Sequence, residues 1–320
     1  MGFLPFIVLL ASAASAQQPS DADSQPPIAR PAYQFDSGPV VAIDEAHKNT
    51  HTYGNQLQGL VRLLQRDGYR VRPFSEIITR RSLGNVDVLL IAQPGGWDGP
   101  DASLTDAEVA ELMQWVRTGG SLLLILDHMP APLNAARLTT ALGVNSWHNG
   151  YAMVEIPDSL PAGRIVFRQP QYVAEGEPEV IRTGGASGAR GILTYQGADA
   201  VLTNHLITEG RGPDEQVRRV MTFVGSSFQR SEGAEALLVL PQRAASLMPE
   251  APGAADVRRG NPPRAPVGGW LQGAVMNIGG GRVGLFGEIG LFSGQWPVHP
   301  AASENYKLAL NLMHWLTRVF

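Results

Sequence analysis

The segment PVVAIDEAH at residues 39–47 decides the fold class. Its first five residues are apolar without interruption and rich in β-branched side chains, a pattern typical of a strand buried on both faces of a parallel sheet. The next four residues, DEAH, are mainly polar and charged. Because ligands of open α/β sheets bind beyond the carboxyl ends of the strands, this segment predicts both a buried strand and one wall of a binding site.

Outward from this strand, apolar runs alternate with amphipathic segments. Leu57, Leu60, Val61 and Leu64 have the i, i+3, i+4, i+7 spacing of a helix, which we expect to end at Gly68. Further strands are predicted at 69–71, 87–92 and 121–126, and further helices from a Thr105–Glu108 capping box to Gly119 and over 133–142. This alternation predicts right-handed βαβ units in a doubly wound, mainly parallel α/β sheet.

The second half of the chain is less regular. Residues 147–200 lose helical periodicity and predict a β-rich insertion, while residues 242–269 predict a long loop, for which disorder is favoured over a lid. The C-terminal part predicts a hairpin of strands 274–278 and 282–286, followed by a helix. The GGGRVG run between these two strands matches G-x-G-x-x-G but does not join a strand to a helix, so it predicts a turn and no dinucleotide site.

The first 37 residues predict export. Residues 1–16 combine a short apolar run with a small-residue segment that ends in ASA, as in a cleavable signal peptide, although no Lys or Arg precedes the run and an uncleaved anchor stays open. Residues 17–37 contain four prolines among polar residues and predict a disordered tether to a single domain at 38–320. We therefore expect a periplasmic or extracellular protein, with no membrane span after the signal peptide.

Composition and the absence of several motifs exclude some classes of function. The chain has 0 cysteines, which excludes disulfides and a thiolate nucleophile. A formal net charge of -4 leaves no basic footprint for nucleic acid. Neither a G-x-x-x-x-G-K-[ST] phosphate loop nor a G-x-S-x-G nucleophile elbow is present, so no cofactor is firmly implied.

Polar residues follow four of the predicted strands. We take as candidate catalytic residues Asp44, His47, Asp127, His128 and Glu288, and as candidate ligand-binding residues Glu45, Asn49, His51 and Gln93. Since carboxylates and neutral imidazoles also bind divalent metal ions, Asp44, His47 and Asp127 are candidate metal ligands. Lys48 stands where an H-E-x-x-H protease has its glutamate, so that motif is absent. The same polar residues could instead cap helices or bind loop backbone.

A second polar cluster, NHLITEGR at residues 204–211, lies on a presumed loop. His205 and Asn204 could approach the same strand ends, and Arg211 could bind an anionic group. A surface loop is the simpler interpretation.

Several of these segments resemble an exported, functionally unassigned branch of the class I glutamine amidotransferase-like superfamily. They are VVAIDEAH at 40–47, LDH at 126–128, TNHLITEGR at 203–211, and GRVGLFGE at 281–288 with residues 311–316. The resemblance spans about residues 39–320 and implies a flavodoxin-like sheet with its site at the strand carboxyl ends. Amidotransferases of this class use a cysteine on a sharp turn after a strand. Here Asp127 and His128 stand in that place, which rules out the thiol route to glutamine hydrolysis.

Three functional hypotheses remain. The first is a binding or accessory domain that recognises a small molecule, carbohydrate or cell-envelope component. The second is a metal-assisted hydrolase in which Asp44, His47, Asp127 and either His128 or Glu288 serve as ligands or acid–base groups. The third is a structural partner in a membrane complex; the sequence indicates no particular protein partner.

Overall fold

The fold is described from a computed structural model of the 320-residue chain, which covers residues 25–155, 189–190, 193–196, 200–223, 225–248, 263–294 and 302–320. The predicted signal peptide lies outside these residues, as do most of the predicted insertion and the middle of the predicted loop at 242–269. No helix among the described residues is long and apolar enough to cross a membrane.

The described elements alternate as an α/β protein in the first half and are mainly strands in the second. The strands are β1 (Val40–Asp44), β2 (Arg70–Phe74), β3 (Val88–Ala92), β4 (Ser121–Ile125), β5 (Trp147–Glu155), β6 (Ala189–Arg190), β7 (Leu193–Tyr195), β8 (Val201–Leu202), β9 (Val220–Thr222), β10 (Gly225–Phe228), β11 (Ala234–Val239), β12 (Ala244–Leu247), β13 (Arg264–Pro266), β14 (Leu271–Ile278) and β15 (Gly281–Phe286). The helices are α1 (Gln58–Arg66), α2 (Asp106–Arg117), α3 (Ala131–Asn134), α4 (Ala136–Ala141), α5 (Leu206–Glu209) and α6 (Asn305–Leu316).

Five parallel strands form the part of the sheet that carries the site. Their order is β2-β1-β3-β4-β15, with every neighbouring pair parallel. This is the 2-1-3-4-5 order of flavodoxin-like folds, in which the order of the strands reverses between β1 and β3 and leaves a crevice at their carboxyl ends. The prediction of an α/β sheet with a flavodoxin-like pattern is confirmed.

Antiparallel strands extend the sheet on the β15 side. β14 pairs with β15, and the sheet continues through β10, β5, β12 and β13, while β11 and β8 branch from β14. The β14–β15 hairpin turns at Gly279, whose φ of 60° favours glycine, and at Gly280. A Cβ on Gly281 would lie only 2.1 Å from the Val116 carbonyl oxygen. The G-x-G-x-x-G run is therefore a hairpin turn against α2, as predicted.

Helices cover both faces of the parallel strands. Val41 and Ile43 of β1 pack in one apolar layer with residues of α1 and α6. Ala42, between them, faces the other layer with α2. Because successive strand residues point to opposite faces, an uninterrupted apolar strand is the pattern that a sheet covered on both sides requires.

Two predicted segments differ from the structure. The helix predicted over 133–142 is broken into α3 and α4 at Ala135. The prediction of a loop over 242–269 is wrong at both ends, where β12 and β13 lie. β12 pairs antiparallel with β13 and with β5. The ladder hydrogen bonds of these strands satisfy backbone groups whatever the composition of their side chains, which is why Ala- and Pro-rich residues could form them.

The predicted disorder of the tether is also wrong for its last part. The backbone N–H groups of Ala32 and Tyr33 donate to Asp67, at 2.9 Å to Oδ1 and 3.1 Å to the carbonyl oxygen. The ring of Tyr33 packs edge-on against Tyr69 with centroids 5.1 Å apart. The segment is held by partners that lie more than thirty residues further along the chain, and local composition does not register them.

Candidate functional site

The carboxyl ends of β1, β3, β4 and β15 form one edge, which we call the rim. Backbone hydrogen bonds join the loops there: Thr50 N–H donates to the Gln93 oxygen at 3.1 Å, and Gly95 N–H donates to the His47 oxygen at 2.7 Å. The N–H of Leu126 donates to the Phe286 oxygen at 2.9 Å. The rim thus places the predicted residues of these four strand ends on the same edge of the sheet.

His47 is held between two carboxylates. Its Nδ1 lies 2.9 Å from both oxygens of Asp44, and its Nε2 lies 2.9 Å from Oε1 of Glu108 on α2. Burial alone would lower the pKa of His47, but the hydrogen bonds and charges of the two carboxylates raise it to about 9. At neutral pH His47 is therefore an imidazolium in a buried ion-pair network.

Glu108 has a double role at the start of α2. Its Oε2 accepts from the backbone N–H and the hydroxyl of Thr105, which forms the predicted capping box, while Oε1 accepts from His47 and from the Ile78 N–H. Burial would raise its pKa, yet these bonds lower the pKa of Glu108 to about 2. The capping motif was visible in the sequence, but the bond to His47 was not, because the two residues are 61 positions apart.

This geometry corrects the predicted metal set. Both ring nitrogens of His47 face carboxylates, so neither has a lone pair available to a metal ion. Within the described part of the chain, no three His, Asp or Glu side chains are arranged to hold a metal ion. Asp44, His47 and Asp127 are therefore not brought together as metal ligands.

Asp127 and His128 form a different environment, in which Asp127 is buried and His128 is partly buried. Burial raises the pKa of Asp127 well above the usual range of aspartate, and a hydrogen bond from the Ile289 backbone acts in the opposite direction. Burial lowers the pKa of His128, whose Nδ1 donates to the Met129 oxygen at 2.8 Å. The Nε2 lone pair of the neutral ring then lies 3.4 Å from Oδ2 of Asp127. Burial thus favours the uncharged form of both groups.

His51 and Gln93 extend this neutral group. Burial, and then the nearby ring of His128, lower the pKa of His51 to about 3, and its Nδ1 has no partner. The Oε1 of Gln93 is also buried without a partner, and the residue has a φ of 54°, uncommon for a side chain other than glycine. We call Asp127, His128, His51 and Gln93 the neutral cluster.

The remaining rim candidates shape loops. Oε1 of Glu45 accepts from the Tyr53 N–H at 3.0 Å, and Asn49 donates to the Ala92 oxygen at 3.3 Å. Glu288 is fully buried, and its two oxygens accept from the Phe223 N–H at 2.8 Å and the Gly290 N–H at 2.6 Å. These three side chains use their polar atoms to hold backbone.

The second predicted cluster does not approach the rim. His205 caps α5 by accepting from the Ile207 N–H. The centroid of its ring lies 6.4 Å from that of Trp315. The carbonyl oxygen of Trp315 accepts a hydrogen bond from Arg282, which lies at the amino end of β15. Asn204, next to His205, is exposed. Arg211 is paired with Glu215, at 2.9 Å from Nε to both carboxylate oxygens. The prediction that these residues could join the rim is wrong, because β8 delivers them to the opposite end of the sheet.

Sequence reasoning missed two aromatic residues at the rim. The side chain of Trp97, in the loop after β3, is 56% exposed. Tyr151 is buried in β5 and stacks on the ring of His128 with centroids 4.6 Å apart. Trp97 follows Gly95-Gly96 in the loop after a buried strand, and this position could have indicated a place at the rim. Nothing near Tyr151 in the sequence indicates that it contacts His128.

Comparison with known proteins bears on the fold. No family model matches the sequence, and no curated protein is similar to it. The N-terminal domain of mmIFT52 is similar in structure, with a TM-score of 0.55 and 16% identity over 87% of this chain and 97% of that chain. A ThuA-like protein from Bacteroides uniformis has a TM-score of 0.47 and 11% identity over 89% of this chain and 94% of that chain. ThuA-like proteins belong to the class I glutamine amidotransferase-like superfamily. At these identities the likeness concerns the fold alone.

Proposed function

We propose that this chain is an exported ligand-binding or accessory domain whose rim binds a neutral, hydroxyl-rich ligand such as a carbohydrate of the cell envelope. The observation that carries the proposal is the neutral cluster. Nδ1 of His51 and Oε1 of Gln93 are buried without hydrogen-bond partners, and the buried carboxyl of Asp127 accepts from the Ile289 backbone and lies 3.4 Å from Nε2 of His128. Buried polar atoms normally find partners, so the unpaired atoms at this strand edge favour a bound polar molecule that supplies them.

The protonation states favour a neutral ligand. The raised pKa of Asp127 favours a protonated carboxyl that donates as well as accepts, and the lowered pKa values of His51 and His128 favour neutral rings. The cation of His47 is already paired with two carboxylates, Asp44 and Glu108. An acidic ligand would meet no free cation among these groups, whereas hydroxyl groups can both donate to and accept from them.

Trp97 adds an apolar surface beside these polar atoms. Nδ2 of Asn134 donates to the Gly96 oxygen at 2.9 Å, which holds the Trp97 loop against α3, and Leu133 of α3 is 54% exposed. Ligand sites commonly combine aromatic side chains with a few placed polar groups. An exposed indole ring fits the apolar face of a sugar ring.

Calorimetric titration of the full-length protein with neutral and acidic envelope saccharides tests this proposal. We expect binding of a neutral saccharide that weakens about ten-fold or more in Trp97→Ala and Gln93→Leu, since each removes a contact worth about 1–2 kcal/mol. Phe35→Ala is the matched control, because Phe35 is an aromatic residue exposed at 84% away from the rim. Preference for acidic saccharides, or equal loss in the control, would overturn the proposal.

Hydrolysis is the second candidate, and one observation favours it: a carboxyl group whose pKa is raised by burial, as that of Asp127 is, can act as a general acid. Asp127→Asn would then abolish turnover of a saccharide and leave its binding intact. A divalent metal has less support, because the described residues hold no ready set of ligands. Thermal-shift measurements with added divalent ions, in wild type and Asp127→Asn, test for a metal directly.

A further inference from the structure

A cavity of about 430 Å³ lies at the opposite end of the sheet from the rim. It is bounded by the N-terminal segment at Pro27–Ala29, by the loop around Arg211 and Glu215, and by one face of α6. The volume is within the range of small-molecule sites in proteins. None of its lining residues belongs to the rim.

Two buried side chains of α6 line this cavity, each with a polar atom that has no partner. His314 is 1% exposed, and its Nε2 lies 2.7 Å from Oδ2 of Asp67, while its Nδ1 is unpaired. Asn311 is fully buried and uses its amide group to donate to the Ile207 and Glu215 oxygens at 2.8 and 2.9 Å, while its Oδ1 is unpaired. Residues three apart on a helix share a face, so both side chains lie on the side of α6 that lines the cavity.

The unpaired atom of Asn311 is an acceptor. Its amide nitrogen donates to two backbone carbonyl oxygens, which leaves Oδ1 with its lone pairs and no partner. The missing partner of Asn311 is therefore a group with hydrogen-bond donors.

The remaining charged side chains of the lining have no net charge, which favours a neutral ligand. Arg211 and Glu215 are paired with each other, and Lys307 and Asp214 add one charge of each sign. Ile28 and Leu310 supply an apolar wall. We infer that this cavity is a second binding site, separate from the rim, for a small neutral molecule that carries N–H or O–H donors on an apolar body.

The test uses the full-length protein and isobutyramide as the probe, with isobutyrate as its matched control. The amide offers two N–H donors on an apolar body, and the carboxylate has the same skeleton with acceptors only. For a molecule of about six non-hydrogen atoms we expect millimolar binding, read by ligand-observed NMR and by crystal soaking. Isobutyrate should bind at least about ten-fold more weakly, because its oxygens cannot donate to Oδ1 of Asn311.

Variants locate the binding. Ile28→Trp fills the cavity from its outer wall without touching the polar atoms, and it should abolish binding with no change in the melting temperature. Asn311→Leu should also abolish it, and Ile28→Trp keeps the test decisive if that variant fails to fold. Trp97→Ala at the rim should leave it unchanged. Equal binding of the two probes, unchanged binding in Ile28→Trp, or soaked crystals with only ordered water in the cavity would overturn the inference.

Discussion

The imidazole of His47 and the carboxylate of Glu108 meet at 2.9 Å although 61 positions separate them. The other ring nitrogen of His47 binds Asp44, so one cation joins the end of β1 to the first turn of α2. The side chain of His47 therefore connects two elements of the rim.

Removal of this cation should destabilise the fold strongly. His47→Leu leaves the carboxylates of Asp44 and Glu108 buried without a counter-charge, and loss of one partner from a buried ion pair costs about 3–5 kcal/mol. Urea denaturation measures the change in the free energy of unfolding. Glu76→Gln, on an exposed glutamate, is the control and should stay within about 0.5 kcal/mol of wild type. A His47→Leu protein as stable as the control would contradict the ion-pair role.

The stability that His47 provides should depend on pH in a defined direction. Its folded pKa is raised from 6.5 to about 9, so its contribution is complete below pH 6.5 and is lost as the pH rises through 9. The pKa of Glu108 is lowered from 4.5 to about 2, so its contribution is complete above pH 4.5 and is lost as the pH falls through 2. NMR titration of the His47 ring gives the midpoint directly, and a value near 6.5 would refute the assignment.

Asp127→Asn should change the free energy of unfolding in the opposite direction from His47→Leu. Burial raises the folded pKa of Asp127 above the usual 3.8, so the folded state loses stability relative to the unfolded chain as the pH rises from 3.8 through the folded pKa. An amide does not ionise and escapes this loss. Unfolding free energies measured from pH 3 to pH 8 should therefore show the variant gaining on wild type as the pH increases. A constant difference across this range would argue that Asp127 is ionised in the folded protein.

Hydrogen exchange can test the docking of the N-terminal segment. The amides of Ala32 and Tyr33 donate to Asp67 and should exchange slowly, whereas the amide of the exposed Phe35 should exchange at nearly the rate of an unfolded chain. Asp67→Ala removes the Oδ1 acceptor and the partner of His314, so protection at Ala32 should fall. Equal rates at Ala32 and Phe35 in wild type would mean that the segment is undocked.

The parts of the fold that the sequence predicted correctly depend on local patterns. The apolar run at 39–43, the spacing of Leu57 to Leu64 and the Thr105–Glu108 capping box each specify an element through residues close in sequence. The strands β12 and β13 and the docked segment before β1 were missed. Their partners come from distant parts of the chain, and their composition alone resembles that of loops.

The sequence by itself predicted a doubly wound sheet, because apolar strands that alternate with amphipathic helices are typical of a sheet covered on both faces. It also determined which polar residues follow the parallel strands. Only the tertiary structure decided their charge: the pKa of His47 is raised because Asp44 and Glu108 bind its two ring nitrogens, whereas the pKa of Asp127 is raised because its carboxyl is buried. Charge and hydrogen bonding at a buried site depend on which groups the fold brings within about 4 Å, and that is a long-range property.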